Sequence, residues 1–295
     1  MTAKGYGVKE SPKKVLDYCG TFRSGGVDLP PTFILDKEFI PDVRNQGKVN
    51  SCVGFATTNI MQILNQIETG ERERFSAGYV YGKCRDDDDT YEGMYIGSAL
   101  DYLIKTGACF EKDFPDNLEV PEIMEKVRNR PDLDKKAEPY HIRGYEVYAS
   151  ASKEAKYNAI KTALYQHKTP ILAETKFTGG LHAVCVIGWN DETGKFIILN
   201  SWGEEWGENG IGEISYSRLK RGFLLVDEKN SNMLMPFKDV AEDSWYYKVV
   251  QHAYNAGLMN GTSEDTFEPD RPITRAEMAQ VLVNLCKKID DAKSE

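Results

Sequence analysis

The chain carries two kinds of hydrophobic period, and the switch between them falls past its midpoint. From Cys52 to about Glu68, Phe55, Ile60, Ile63, Leu64 and Ile67 recur close to helical spacing, which predicts a helix closed by Gly70. "GSALDYLIKTG" predicts a second helix ending at Gly107, and "KEAKYNAIKTALYQHK" a third, amphipathic one. After these, "TPILAETKF", "HAVCVIGWN", "KFIILNSWG" and "GIGEISYSR" are short β-type segments cut by Gly, Asn and Asp turns. Helices first and antiparallel strands second predict an α+β domain, bounded at residues 29–232. Residues 1–28 are polar and glycine-rich and read as a leader or extended arm. From residue 233 to 295 the pattern changes again, to a helix, a glycine-terminated loop and a second helix. Thr274 and Glu277 form a capping box there, and Met278, Val281, Leu282 and Leu285 mark an apolar face, so a small all-α module is expected.

Composition narrows the function more than the fold. With 41% hydrophobic and 28% charged residues the chain is an ordinary soluble type. A net charge of -9 argues against a nucleic-acid partner, which would call for a basic face. No apolar run approaches the roughly 18 residues of a membrane span, and the N-terminus lacks the apolar segment of a signal peptide. Six cysteines without a CxxC pair, and four histidines, predict neither a disulfide-built fold nor a zinc site of usual spacing; no metal or cofactor is expected. The adjacent acids Asp86, Asp87, Asp88 and Asp89 lack the alternate spacing of a calcium loop and read as a solvated loop.

Cys52 stands where the first helix begins, approached through Gln-Gly and Asn-Ser. A helix N-terminus and a neighbouring imidazolium both lower a thiol's pKa, so a reactive cysteine would gain from this position. His182 opens a strand just after a Gly-Gly turn, and Asn200 ends the next strand. The "WNDETG" turn between those strands would set the two side by side, where an amide can fix the ring's tautomer and orientation. Taken singly, Cys52 reads as a structural cysteine, His182 as a satisfied polar residue at a strand end, and Asn200 and Gln46 as turn chemistry.

Together, "QGKVNSCVGFA", "HAVCVIGWN" and "NSWGEEWGENG" resemble the three active-site blocks of papain-like cysteine peptidases, in that family's order and spacing, over roughly residues 29–221. The resemblance implies a two-lobed fold, a helical lobe beside an antiparallel β-barrel-like lobe, and hydrolysis of protein or peptide substrates. It implies Cys52 as nucleophile, His182 as base and then acid, Asn200 as the group orienting His182, and Gln46 with the Cys52 N–H as oxyanion hole. Trp202 would shield the His182–Asn200 hydrogen bond. Substrate contacts are implied at Gly93, Met94, Leu181 and Trp202, with Gly93 the foremost candidate for backbone pairing. Val49 stands where a disulfide cysteine is usual, so Cys84 is expected to lack a partner, and Val53 replaces an aromatic beside the nucleophile. The span from "PILAET" to His182 is short, which reduces one wall of the cleft. Residues 1–28 are too short for the family's usual helical proregion, yet could cover the cleft as a short pro-segment.

The C-terminal stretch resembles one S-layer homology module through Trp245, Gly257, Gly261, Phe267, Pro269 and "ITRAE". This implies an extracellular or cell-wall setting in a bacterium, with Arg275 and Glu277 contacting wall polysaccharide; simple helix capping is the competing reading of the same block. The module's small core would need cover, either from the peptidase domain or from two other chains in a homotrimer. Two other classes of function stay open: a catalytically silent peptide-binding protein, and an acyl transferase or transpeptidase using the same cysteine.

Overall fold

A computed structural model describes residues 7–9, 29–85, 93–116, 120–149, 152–226, 237–241, 243–255, 258–263 and 265–293. The Asp86 to Asp89 run and most of residues 1–28 lie outside the described residues. A short strand β1 (Thr32–Ile34) is followed by α1 (Cys52–Thr69), α2 (Ala77–Cys84), α3 (Ile96–Lys105), α4 (Val120–Arg128) and α5 (Pro131–Ala137). Then come β2 (Gly144–Tyr148), α6 (Lys153–His167), β3 (Ile171–Phe177), β4 (Gly180–Asn190), β5 (Lys195–Leu199), β6 (Ile211–Ser215) and β7 (Leu219–Val226). The helical module contributes α7 (Tyr247–Asn255) and α8 (Arg275–Lys293).

The three predicted helices and four predicted strands are all present, with α3 opening one residue before the expected "GSALDYL". Gly70 closes α1 as expected, in the left-handed region at φ 81°, where a side chain would be strained. The strands form one antiparallel sheet in the order β2-β7-β3-β4-β5-β6, with β1 added to β4. No pairing among the described residues joins β2 to β6, so the expected barrel-like lobe is an open sheet.

Both faces of the sheet are covered. On one lies α1, buried from Cys52 to Leu64, together with α2 and α3. On the other, α6 packs Ala159, Ile160, Ala163 and Leu164 against Val184, Val186, Trp189 and Phe196. Strand β4 serves both cores by alternation: Ala183, Cys185 and Ile187 face the α1 side, Val184 and Val186 the α6 side. A register shift between Val186 and Gly188 then inverts the alternation, so that Trp189 joins the α6 side. Gly188 is required there, because a Cβ would meet the Phe33 carbonyl oxygen of β1 at 2.4 Å.

The C-terminal module has a far smaller core, with Phe237, Val240 and Val250 as its buried apolar side chains among the described residues. Its capping box forms as the spacing requires: Glu277 N–H donates to Thr274 Oγ1 at 3.2 Å, and Thr274 N–H to Glu277 Oε2 at 2.7 Å. Met278, Leu282 and Leu285 of α8 are exposed, so the expected apolar face is there without cover from the described residues.

Candidate active site

Cys52 is the first residue of α1 and is fully buried. One turn on, the Cys185 thiol of β4 donates to the Ala56 carbonyl at 3.1 Å, which fixes the helix against the strand that carries His182. The Cys52 sulfur consequently lies against the backbone of Ala183, the residue after His182. Burial pushes the Cys52 thiol up to about 11, and hydrogen bonds from the backbone at Ala183, Gly7 and Val53 only partly offset this.

His182 Nε2 and Asn200 Oδ1 are 2.7 Å apart, both side chains fully buried. The Ser201 N–H also donates to Asn200 Oδ1, at 2.8 Å, so two donors converge on that oxygen. An acceptor there requires the imidazole proton on Nε2, which leaves Nδ1 as the basic nitrogen. Trp202 stacks on His182 with ring centroids 4.4 Å apart and planes 24° apart, covering the hydrogen bond from water. Phe177 stands edge-on to both rings, at 5.4 Å from His182 and 5.2 Å from Trp202. Burial lowers His182 to about 4, opposed by the Asn200 hydrogen bond.

Gln46 is buried on the loop preceding α1. Its N–H donates to the Ser201 carbonyl at 2.9 Å, its Oε1 accepts from Ser201 Oγ at 2.6 Å, and its Nε2 donates to the Val49 carbonyl at 2.8 Å. The amide is thus held with its donor end beside the start of α1. Ser201 escaped the sequence expectations, as did Phe177; only the position of Ser201 between Asn200 and Trp202 hinted at a part in the site. Arg44 secures the same loop from behind, with hydrogen bonds to Thr58 Oγ1 at 2.7 Å and the Phe75 carbonyl at 2.9 Å, and a buried ion pair to Asp116 at 3.0 Å.

Residues 7–9 of the N-terminal arm lie in the groove between the helices and the sheet. The Met94 N–H donates to the Gly7 carbonyl at 2.8 Å, the Lys9 N–H to the Met94 carbonyl at 3.1 Å, and the Val8 N–H to the Leu181 carbonyl at 3.4 Å. Val8 therefore faces Met94 in a parallel bridge. Two of the expected substrate contacts, Met94 and Leu181, are the residues that hold this segment, and the pairing falls on Met94 rather than on its neighbour Gly93. The span that the sequence marks as short is a two-residue turn, Thr178 and Gly179, between β3 and β4. None of the described cysteines, Cys84 included, is disulfide-bonded. In the C-terminal module Arg275 is exposed, whereas Glu277 is engaged by the cap and by Arg271 Nη2 at 2.6 Å.

Chemically, a buried imidazole oriented by an amide, on the strand whose next residue meets a thiol at a helix start, can carry a proton to and from sulfur. The model of the papain family of cysteine proteases matches residues 30–223, and that of the S-layer homology domain matches residues 236–279. A thiol protease of Hemerocallis is 25% identical over 69% of this chain and 58% of its own length. The cysteine endopeptidase RepA of Oryza sativa is 27% identical over 83% of this chain and 65% of its own length. The chain thus spans less than two thirds of either relative. Among solved structures, xylellain, a cysteine protease from Xylella fastidiosa, shares the fold with a TM-score of 0.62 at 21% identity, covering 77% of this chain and 98% of xylellain. With the family model spanning β1 to β6, helices α1 to α6 and all three motif blocks, the chain belongs to the papain family of cysteine proteases and carries an S-layer homology domain behind it.

Proposed function

We propose that the protein is a cysteine endopeptidase working through Cys52, His182 and Asn200 at a bacterial cell surface. The observation that carries this reading is the buried 2.7 Å contact from His182 Nε2 to Asn200 Oδ1, roofed by Trp202, beside a cysteine at the start of α1. In the reaction, His182 Nδ1 takes the thiol proton and the sulfur attacks the peptide carbonyl carbon. The resulting oxyanion is met by the Cys52 N–H and Gln46 Nε2, and the protonated imidazole gives its proton to the departing amine. Water, deprotonated by His182, then hydrolyses the thioester and restores the thiol. Asn200 keeps the ring on the correct tautomer throughout.

The substrate backbone is read by Met94 and Leu181, with Gly93 and Trp202 at the rim of the same groove. Residues 1–28 form a pro-segment whose residues 7–9 occupy that groove; residues 29–232 form the peptidase domain and residues 233–295 the anchoring module. The module suits wall polysaccharide through exposed Arg275, while the double use of Glu277 in the cap favours a structural part for that residue. Three chains could share the apolar face of Met278, Leu282 and Leu285, which light scattering on the full chain would detect as a trimer.

Labelling by a thiol-directed epoxide, followed by cleavage assays on a denatured protein mixture, tests the reading. Loss of both in Cys52→Ala with an unchanged melting profile is expected. Labelling at Cys52 without cleavage would favour the silent peptide-binding protein instead. Products carrying an added amine in place of water would favour acyl transfer.

A further inference from the structure

Arg44 is a buried cation on the loop that leads to Gln46 and Cys52, 6% exposed where an arginine usually reaches solvent. Its guanidinium is directed at α1, beyond the nucleophile. Nε and Nη2 donate to Asn59 Oδ1 at 3.0 and 2.5 Å, and Nη2 also to Thr58 Oγ1 at 2.7 Å and the Phe55 carbonyl at 3.3 Å. Nη1 donates to the Phe75 carbonyl at 2.9 Å and to Asp116 at 3.0 Å, and Asp116 in turn accepts from the Gly78 N–H of α2 at 3.0 Å. A planar fork with five N–H donors serves all these acceptors at once, whereas a lysine ammonium has three donors and no plane.

The backbone of the same residue is bound elsewhere. Its carbonyl accepts from the Gly203 N–H at 3.1 Å, Asn45 bridges to Trp202, and the Gln46 N–H donates to the Ser201 carbonyl at 2.9 Å. Residues 44–46 therefore form a short ladder with residues 201–203, the stretch that follows Asn200 and carries the Trp202 roof. Through its side chain Arg44 belongs to the helix of Cys52, and through its backbone to the stretch that orients His182. Gln46 sits two residues on, where its Nε2 must keep a fixed distance from the Cys52 N–H for both to meet one oxyanion. The chain between them, Gly47 to Ser51, is turn and loop without helix or strand. We propose that Arg44 is a positioning residue for the oxyanion hole: it ties the Gln46 loop to α1 and so sets Gln46 Nε2 against the Cys52 N–H, an assignment that rests on the peptidase reading above.

The test compares cleavage of dye-quenched casein with alkylation of Cys52 by the epoxide, in the full-length chain and its variants, all carrying Gly7→Ala to loosen the N-terminal segment. Arg44→Lys keeps a charge beside Asp116 and breaks the fork. Its kcat is expected to fall roughly tenfold, short of the 10²–10³ of losing an oxyanion donor outright, with KM within about twofold. Alkylation forms no tetrahedral oxyanion, so its rate should also stay within about twofold. Added to Gln46→Ala, Arg44→Lys should cost nothing further in kcat, since the group it places is gone. Thr58→Val removes a single acceptor in nearly the same shape and should lower kcat by about two- to fourfold, which gives the reading if Arg44→Lys does not fold. Leu164→Ala, in the core under α6, should lower the melting temperature and leave kcat unchanged. An unchanged kcat in Arg44→Lys and Thr58→Val overturns the assignment, as does a loss that multiplies with that of Gln46→Ala or is matched by Leu164→Ala. Alkylation slowed as much as cleavage overturns it too, because Arg44 then acts on the thiol and imidazole instead. A parent that cleaves no casein overturns the peptidase reading itself, whereas a cleaving parent equalled by its Arg44 and Thr58 variants overturns this assignment alone.

Discussion

Gly7→Ala should release the groove. An added Cβ at Gly7 would sit 1.8 Å from the Asn50 carbonyl oxygen and 2.5 Å from its carbon, against backbone that cannot rotate away. Relief requires the segment to shift by about 1 Å or more, enough to break hydrogen bonds of this geometry. Two bonds to Met94, at 2.8 and 3.1 Å, contribute about 1 kcal/mol each. Partial loss of Val8 burial adds about 1 kcal/mol. The total of about 3 kcal/mol corresponds to a rise of roughly a hundredfold in the open population. The assay is the second-order rate of Cys52 alkylation by the epoxide at pH 7, run beside a chain lacking residues 1–28. A rate at least tenfold above the parent is expected, approaching that of the shortened chain. If Gly7→Ala and the parent react at the same rate while the shortened chain reacts fast, the contact at Asn50 is not what holds the segment. If all three react alike, residues 7–9 do not guard the sulfur at all.

Acid should destabilise the fold around the site. Burial holds His182 at about 4 in the folded chain, against 6.5 when solvated. The unfolded chain therefore binds the extra proton first, and the folded state loses up to about 3 kcal/mol as pH falls from 6.5 to 4, which urea titrations across that range would read. Asn200→Ala should lower kcat more than it raises KM, since it acts on a ring that must be oriented in the transition state, and Gln46→Ala should cost about 10²–10³-fold in kcat; a pure KM effect in either would contradict the proposed role. Glu146, buried on β2 and accepting from Tyr148 at 3.0 Å, is pushed up to about 7 by burial. Its raised value makes the folded state lose stability as pH climbs from 4.5 through 7, so Glu146→Gln should gain up to about 3 kcal/mol at pH 8 and nothing at pH 4 in urea titrations.

The parts of this molecule legible in the sequence are those written in local periodicity or in fixed spacing. The helix from Cys52 and the strand pair carrying His182 and Asn200 were expected where they are found, because alternation and turn residues specify them within a few positions. Helix α2, with its mix of Gly and Tyr, and strand β2, flanked by polar residues, gave no such signal and are held by tertiary packing. The same holds for Phe177 and Ser201, whose partners lie in other strands or loops. Pairing at Met94 could not be told from pairing at Gly93, since one residue of register is decided by the groove and not by composition. The arm's occupancy of that groove rests on three short contacts that leave no period in the sequence.

The inversion of faces in β4 has an evolutionary consequence. Before the register shift, odd-numbered residues feed the core around α1 and even-numbered ones the core under α6; after it, Trp189 serves the α6 side. One extra residue thus acts as a phase marker for everything downstream of it, including the turn that returns β5 to Asn200. Substitutions along β4 change one contact at a time and can be absorbed by neighbours. Loss of the extra residue at the shift would restore plain alternation with Trp189 still on the α6 side, whereas deletion of a residue between His182 and Val186 would put His182 and Ala183 on the wrong faces and out of step with Asn200. Drift in this strand is therefore open to changes of side chain, and to changes of length only at the shift.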